Sequence, residues 1–214
     1  MNDNQNTIQT WDKLVQKYHD KFMDVTIYDD SYNLFCEAIT KEDVAVLEIG
    51  CGPGNVTRYL LAKYPNYKIL ATDVASSMIE LAAINNPTAK FRVLDAREIN
   101  TIDQKFDAVM CGFCMPYLSK EECIQLIKDS EALLNDDGIF YFSMIENDYS
   151  KSESQTSSDG QYTMHVYYHQ ADYLQEALAV CGFETLHLLR IQYPKPNGVV
   201  DTHLIFIVKK RTDK

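Results

Sequence analysis

No stretch of this sequence approaches the roughly 20 consecutive apolar residues that a membrane-crossing helix needs, so no membrane partner is expected. The segment from Met1 to Lys13 also lacks a basic start followed by an apolar core. No secretory signal is readable there, and a cytoplasmic protein is the expectation. Positive charge is scarce: 20 Lys and Arg stand against 31 Asp and Glu in 214 residues, a formal net charge of -11. Such a chain repels a phosphate backbone unless a local basic patch overrides it. The one dense basic run, Lys209-Lys210-Arg211, closes a terminal strand and reads as a solvated end. Nucleic acid is therefore not expected as a partner. Cys111-Gly112-Phe113-Cys114 has no second Cys-x-x-Cys or Cys/His pair to complete four ligands, so no metal is expected. The six cysteines, Cys36, Cys51, Cys111, Cys114, Cys123 and Cys181, sit in or beside apolar segments. Buried thiols of a reducing compartment are placed in this way. Internal repeats and low-complexity tracts are absent too.

What is present is ordinary globular composition, 46% hydrophobic and 24% charged, in a length that suits one domain or one domain with an appended cap. Trp11, Leu14, Val15, Tyr18 and Phe22 recur at helical spacing and predict an amphipathic helix over 9–22. A second helix is predicted over 30–40. Both precede the first strand, so residues 1–43 read as an N-terminal helical cap and residues 44–214 as the main domain. From there strands and helices alternate. Strands are predicted at 44–49, 68–72, 91–94, 106–111 and 139–145. Helices are predicted at 54–63, 76–85 and 120–134. This βα succession implies a parallel sheet with helices on both faces. The Ser-rich stretch 147–160 reads as a mobile loop, within a lid-like segment 147–169. A helix over 171–180 and strands over 184–193 and 200–209 follow. The last two are close enough to form a hairpin. The expected fold is thus α/β, a Rossmann-like parallel sheet ending in an antiparallel pair.

The chemistry-bearing stretch is VLEIGCGPGN, residues 46–55. Its glycines, Gly50, Gly52 and Gly54, are spaced G-x-G-x-G, whereas a dinucleotide loop wants G-x-G-x-x-G. Glu48 stands beside that loop, where a carboxylate suits a ligand carrying an amine and is awkward for a pyrophosphate. Asp73 closes the next strand and is placed for ribose hydroxyls, although it also reads as a helix N-cap. Asp95 closes the third strand. All three acids fall at the carboxyl ends of parallel strands, where open α/β sheets bind ligands.

With these residues in view, the sequence resembles the class I S-adenosylmethionine-dependent methyltransferases. The resemblance runs through VLEIGCGPGN (46–55), ILATDVASSMIELA (69–82), FRVLDARE (91–98), FDAVMCGFCMPYLS (106–119) and LLNDDGIFYFS (133–143). It implies S-adenosylmethionine as cofactor. It further implies that Gly50, Cys51, Gly52 and Gly54 line its methionine part, with Glu48 nearby. Asp73 would take the ribose, Val74 and Met78 would flank adenine, and Asp95 and Ala96 would meet the adenine edge. Cys111 and Gly112 would lie under the methionine end, and Tyr18 would close over the cofactor. The Asn-Pro-Pro-Tyr type motif of nucleic-acid amino methyltransferases is absent; the matching place reads Phe113-Cys114-Met115-Pro116-Tyr117. Together with the negative charge, this favours a small-molecule methyl acceptor. A nicotinamide-dependent oxidoreductase and a non-catalytic cofactor-binding module are the alternatives. Monomer and homodimer stay open.

The acceptor is expected between the N-terminal cap and residues 147–169. Tyr18, Tyr28, Phe113, Tyr117, Tyr167 and His169 would supply its aromatic walls. His169 and Tyr117 are the candidate catalytic residues, His169 as a base for an alcohol or phenol because imidazole titrates near neutral pH. His187 and His203, in the last two strands, read as structural.

Overall fold

The computed structural model describes residues 3–156, 163–195 and 198–212. Its main sheet has seven strands in the order β3-β2-β1-β4-β5-β9-β8. β1 (Ala45–Ile49), β2 (Lys68–Asp73), β3 (Lys90–Val93), β4 (Phe106–Cys111) and β5 (Leu134–Glu146) run parallel. β8 (Phe183–Pro194) and β9 (Val200–Lys210) form an antiparallel hairpin, and β9 inserts antiparallel beside β5. The strand order turns back between β1 and β4. A crevice opens there at the carboxyl ends of the strands.

Side-chain alternation builds a core on each face of the sheet. On one face Leu47, Val109, Phe140, Phe142 and Phe206 pack with Leu126, Ile127, Leu174 and Leu178. Those last four come from α5 (Lys120–Leu133) and α6 (Ala171–Val180). On the other face Val46, Met110, Tyr141, Ile205 and Ile207 pack with Tyr32, Phe35 and Leu60. These belong to α2 (Asp29–Ala38) and α3 (Asn55–Lys63). α4 (Ser76–Asn85) packs on β2 and β3. α5 starts with a capping box: Ser119 Oγ accepts from the Glu122 amide at 3.3 Å, and the Ser119 amide donates to Glu122 Oε2 at 2.7 Å. Such a cap is worth about 1 kcal/mol, and it holds the end of the 113–118 segment in place.

Several boundaries differ from the sequence reading. α1 runs Asp3–Phe22, one and a half turns longer at its start. It lies against α4 and the strand Thr163–Val166, whereas α2 packs directly on the sheet through Tyr32 and Phe35. The two helices therefore pack against different elements. β5 begins at Leu134, and the Asn-Asp-Asp-Gly turn falls inside it. Asp137 there takes a φ of 61°, and the β4–β5 register shifts. The stretch read as a mobile loop also differs. Its residues 149–151 make a 3-10 turn, and β6 (Glu153–Thr156) pairs antiparallel with β7 (Thr163–Val166). Serine composition suggests a loop, yet Ser152 here ties the segment down. Its Oγ donates to Tyr149 O at 2.6 Å and accepts from the Tyr168 amide at 3.1 Å. The rest of that stretch, 157–160, lies outside the described residues.

Candidate active site

A cavity of about 370 Å³ occupies the crevice at the carboxyl ends of β1, β2 and β4. Its floor is the glycine loop. Gly50 and Gly52 both take positive φ, 69° and 52°, which L side chains rarely tolerate. A Cβ at Gly50 would sit 2.8 Å from Cys114 Cβ, so this glycine lets the β4 loop close in. A Cβ at Gly52 would meet only the Tyr18 ring, at 3.4 Å, so this glycine faces the cavity. The loop is pinned by Asp73. Its Oδ2 accepts from the Gly52 amide and its Oδ1 from the Ala75 amide, each at 2.9 Å.

Glu48, 2% exposed, also lines the cavity. Burial pushes its carboxyl up to about 8, with a further push from Asp73; hydrogen bonds from Thr57 pull the other way. Thr57 Oγ1 donates to Glu48 Oε2 at 2.6 Å. At neutral pH the carboxyl is therefore mostly protonated, and a nearby cation would ionise it. Asp95 is held by Arg97, whose amide donates to Oδ1 at 3.0 Å and whose guanidinium donates to the same oxygen at 3.1 Å. Arg97 in turn reaches Glu122 Oε1 at 2.5 Å and Tyr117 O at 3.2 Å. The sequence reading did not single out Arg97; it follows Asp95 by two residues and ties the end of β3 to α5.

Of the residues expected around a cofactor, Tyr18, Glu48, Gly50, Cys51, Gly52 and Asp73 line this cavity. Val74, Met78, Asp95, Ala96 and Gly112 line it as well. Gly54 and Cys111 do not. Gly54 is small for a different reason: a Cβ would lie 2.3 Å from Asn86 Nδ2, which donates to Gly54 O at 3.0 Å. It packs α3 against the end of α4. Cys111 is fully buried on the α5 face of the sheet, because alternation along β4 puts it with Val109. The chain then turns at Phe113, whose φ is 55°. That turn brings Gly112 and Cys114 to the cavity instead.

The two candidate catalytic residues part company. Tyr117 lines the cavity, edge-on to Trp11 at 5.3 Å. Burial pushes its phenol well above the usual range, so it remains protonated at neutral pH. His169 does not line the cavity. It is 0% exposed on the α5–α6 face, with Nε2 3.1 Å from Met115 O and Nδ1 2.5 Å from the Tyr173 hydroxyl. Burial lowers it to about 4. With both nitrogens engaged inside the core, it does not serve as a base for a ligand in this cavity. Tyr167 is likewise absent from the lining, while Tyr28 and Phe113 belong to it.

The far end of the cavity is walled by residues outside the expected set: Tyr193, Lys195, Asp201 and His203, from the β8–β9 hairpin. His203, read as structural, is thus at the site. The reason is strand direction. β9 is antiparallel, so its beginning lies beside the carboxyl end of β5, with His203 opposite Ile145. The antiparallel pair was legible in the sequence; its consequence for position was the missing step.

Residues 46–138 match the family profile described as a methyltransferase domain. The trans-aconitate 2-methyltransferase of Variovorax paradoxus is 30% identical over 106 residues, 50% of this chain and 40% of the relative. The malonyl-[acyl-carrier protein] O-methyltransferase of Acetivibrio thermocellus is 37% identical over 73 residues, 33% of this chain and 25% of the relative. These matches span well under two thirds of the relatives' own lengths. Over the full fold, the crystal structure of the Burkholderia thailandensis 1,6-didemethyltoxoflavin-N1-methyltransferase superposes with a TM-score of 0.71. It has 18% identity and covers 98% of this chain and 89% of that one. Residues 46–138 are thus similar to a methyltransferase domain, and the whole chain shares the fold of that solved methyltransferase.

Proposed function

We propose that this protein is an S-adenosylmethionine-dependent methyltransferase acting on a small-molecule acceptor. The observation that carries the reading is the convergence of Glu48, Gly52, Asp73 and Asp95 on one cavity at the strand ends. The residues fit the cofactor chemically. Gly52 leaves room for close backbone approach, and Glu48 answers an ammonium. Asp73 suits ribose hydroxyls, while Val74, Met78 and Ala96 suit a purine. Bound there, the sulfonium supplies an activated methyl group. The chain's own task is then to align the acceptor, exclude water and hold the reactants together. α1, with Trp11 and Tyr18, and the β6–β7 segment serve as cover. We read residues 1–43 and 147–169 as the pieces that shape the acceptor end of one domain.

The named relatives act on trans-aconitate and malonyl-acyl carrier protein, and the structural neighbour binds 1,6-didemethyltoxoflavin. A small acceptor agrees with those names and with the -11 charge, which disfavours nucleic acid. Among the described residues no helix is long and apolar enough to cross a membrane. A cytoplasmic monomer or homodimer is our working picture. Against a nicotinamide cofactor stands the buried Glu48 beside the loop, where a pyrophosphate would meet a carboxyl instead of open amides. The test is a screen of small acceptors with methyl-labelled S-adenosylmethionine. Label transfer supports the proposal; tight NADH binding with no affinity for S-adenosylhomocysteine refutes it.

A further inference from the structure

The cavity continues past Gly112 to the ring cluster around His203. This residue shares the sheet face of Ile205 and Ile207 and is 6% exposed. Its imidazole is held from several directions. Tyr193 stacks on it at 4.8 Å with the planes 15° apart, and Phe113 meets it at 4.7 Å and 63°. The Tyr28 hydroxyl lies 2.7 Å from Nδ1. Among the described residues that hydroxyl has no second partner. With no other acceptor among the described residues, the phenol is assigned as the donor to Nδ1. The ring proton then sits on Nε2. Nε2 has no protein partner among the described residues, and it is not among the sealed polar atoms. It is a hydrogen-bond donor left for a ligand.

The charges nearby narrow the ligand further. Lys195 and Asp201, which line the same end, pair with each other at 2.6 Å. A polycarboxylate or a free ammonium would have to compete with that pair. What the end offers without disruption is aromatic surface, the Tyr193 hydroxyl and one neutral N–H donor. We propose that it binds a planar, conjugated acceptor with an in-plane oxygen or nitrogen that accepts from His203 Nε2–H. Tyr28 is the positioning residue that fixes the imidazole tautomer. The proposal rests on the methyltransferase reading above and names its acceptor class.

The chemistry balances simply. An acidic O–H or N–H on the conjugated system gives its proton to solvent. The resulting charge, delocalised onto the in-plane atom, is met by Nε2–H. The acceptor's electron pair forms the new bond to the methyl carbon as the carbon–sulfur bond breaks, and that bond's pair stays on sulfur.

The experiment is calorimetry on the full chain saturated with S-adenosylhomocysteine. The planar probes are 8-hydroxyquinoline, lumazine and 4-nitrophenol; trans-aconitate and benzylamine are the contrasts. At least one planar probe should bind better than both contrasts. His203→Ala should weaken it at least tenfold, and His203→Gln, which keeps an N–H donor, should recover most of the loss. Nitrogen-15 imidazole spectra should show the Nε2–H tautomer in the wild type and a tautomer mixture in Tyr28→Phe. Planar probes that bind no better than the contrasts, or equally well to His203→Ala, would overturn the proposal. So would a wild-type Nδ1–H tautomer. These outcomes are separable from a failure of the underlying reading, which would appear earlier, as no S-adenosylhomocysteine binding at all.

Discussion

On the proposed reading, Glu48 would tie cofactor binding to proton release. Burial pushes its carboxyl up to about 8. At pH 7 the protonated form therefore predominates. A cofactor ammonium beside Glu48 would favour the ionised form, and the proton would leave on binding. Calorimetry of S-adenosylhomocysteine binding at pH 7, in buffers of differing ionisation enthalpy, should report release of close to one proton. Glu48→Gln should bind more weakly and release none. A wild-type release near zero, or the same release in Glu48→Gln, would refute the reasoning. The same group shapes stability. Its folded value is raised, so its contribution is full below the unfolded value of about 4.3 and is lost as pH rises toward 8. His169 and His203 act in the opposite sense. Burial holds both near 4, so their contribution is full above about 6.5 and is lost as pH falls toward 4. Below about 6.5 the two histidines outweigh the one carboxyl, and above it only Glu48 acts. Taken over these three groups, thermal stability should peak near pH 6.5. Between pH 6.5 and 8, Glu48→Gln should remove a decline of up to about 1.4 kcal/mol per pH unit.

Asp73→Ala should weaken S-adenosylhomocysteine binding by roughly 1.5–3 kcal/mol, the range for hydrogen bonds to a charged group, read by calorimetry. The two loop glycines should separate by assay. Gly54→Ala should lower the melting temperature, because its Cβ would lie against Asn86, whereas Gly52→Val should mainly abolish binding by filling the cavity beneath Tyr18. Replacing Cys111 and Cys114 together by Ser should leave cofactor affinity nearly intact by the same calorimetry, since neither thiol is assigned a redox step. His169→Leu should cost stability by orphaning Met115 O and the Tyr173 hydroxyl, roughly 1–3 kcal/mol, and should leave S-adenosylhomocysteine affinity nearly unchanged in denaturation and binding measurements.

The parallel half of the fold was legible because its signals are local. Continuous apolar runs, helix caps and the G-x-G-x-G loop placed β1 through β5, and with them Glu48, Asp73 and Asp95. The far end of the cavity was harder, since it is assembled from distant segments. His203 reaches it only because β9 reverses direction, and Tyr28 only because α2 packs on the sheet. His169 misled for a related reason. It follows β7 closely in sequence, yet its backbone bridges to Glu146 and its ring turns into the α5–α6 face. Chain proximity carried no information about which side of the sheet the ring would take. Gly54 and Cys111 fit the motif by spacing, but helix packing and strand alternation assign them elsewhere.

A crystal structure grown with saturating S-adenosylhomocysteine tests the central claim most directly. The account predicts the amino acid end over Gly50–Gly52 near Glu48, the ribose hydroxyls on Asp73, and the adenine between Val74, Met78 and Ala96. The thioether sulfur should face the ring cluster of Phe113 and His203. Density for the ligand anywhere other than this cavity, or its absence from a cavity open to solvent, would contradict it.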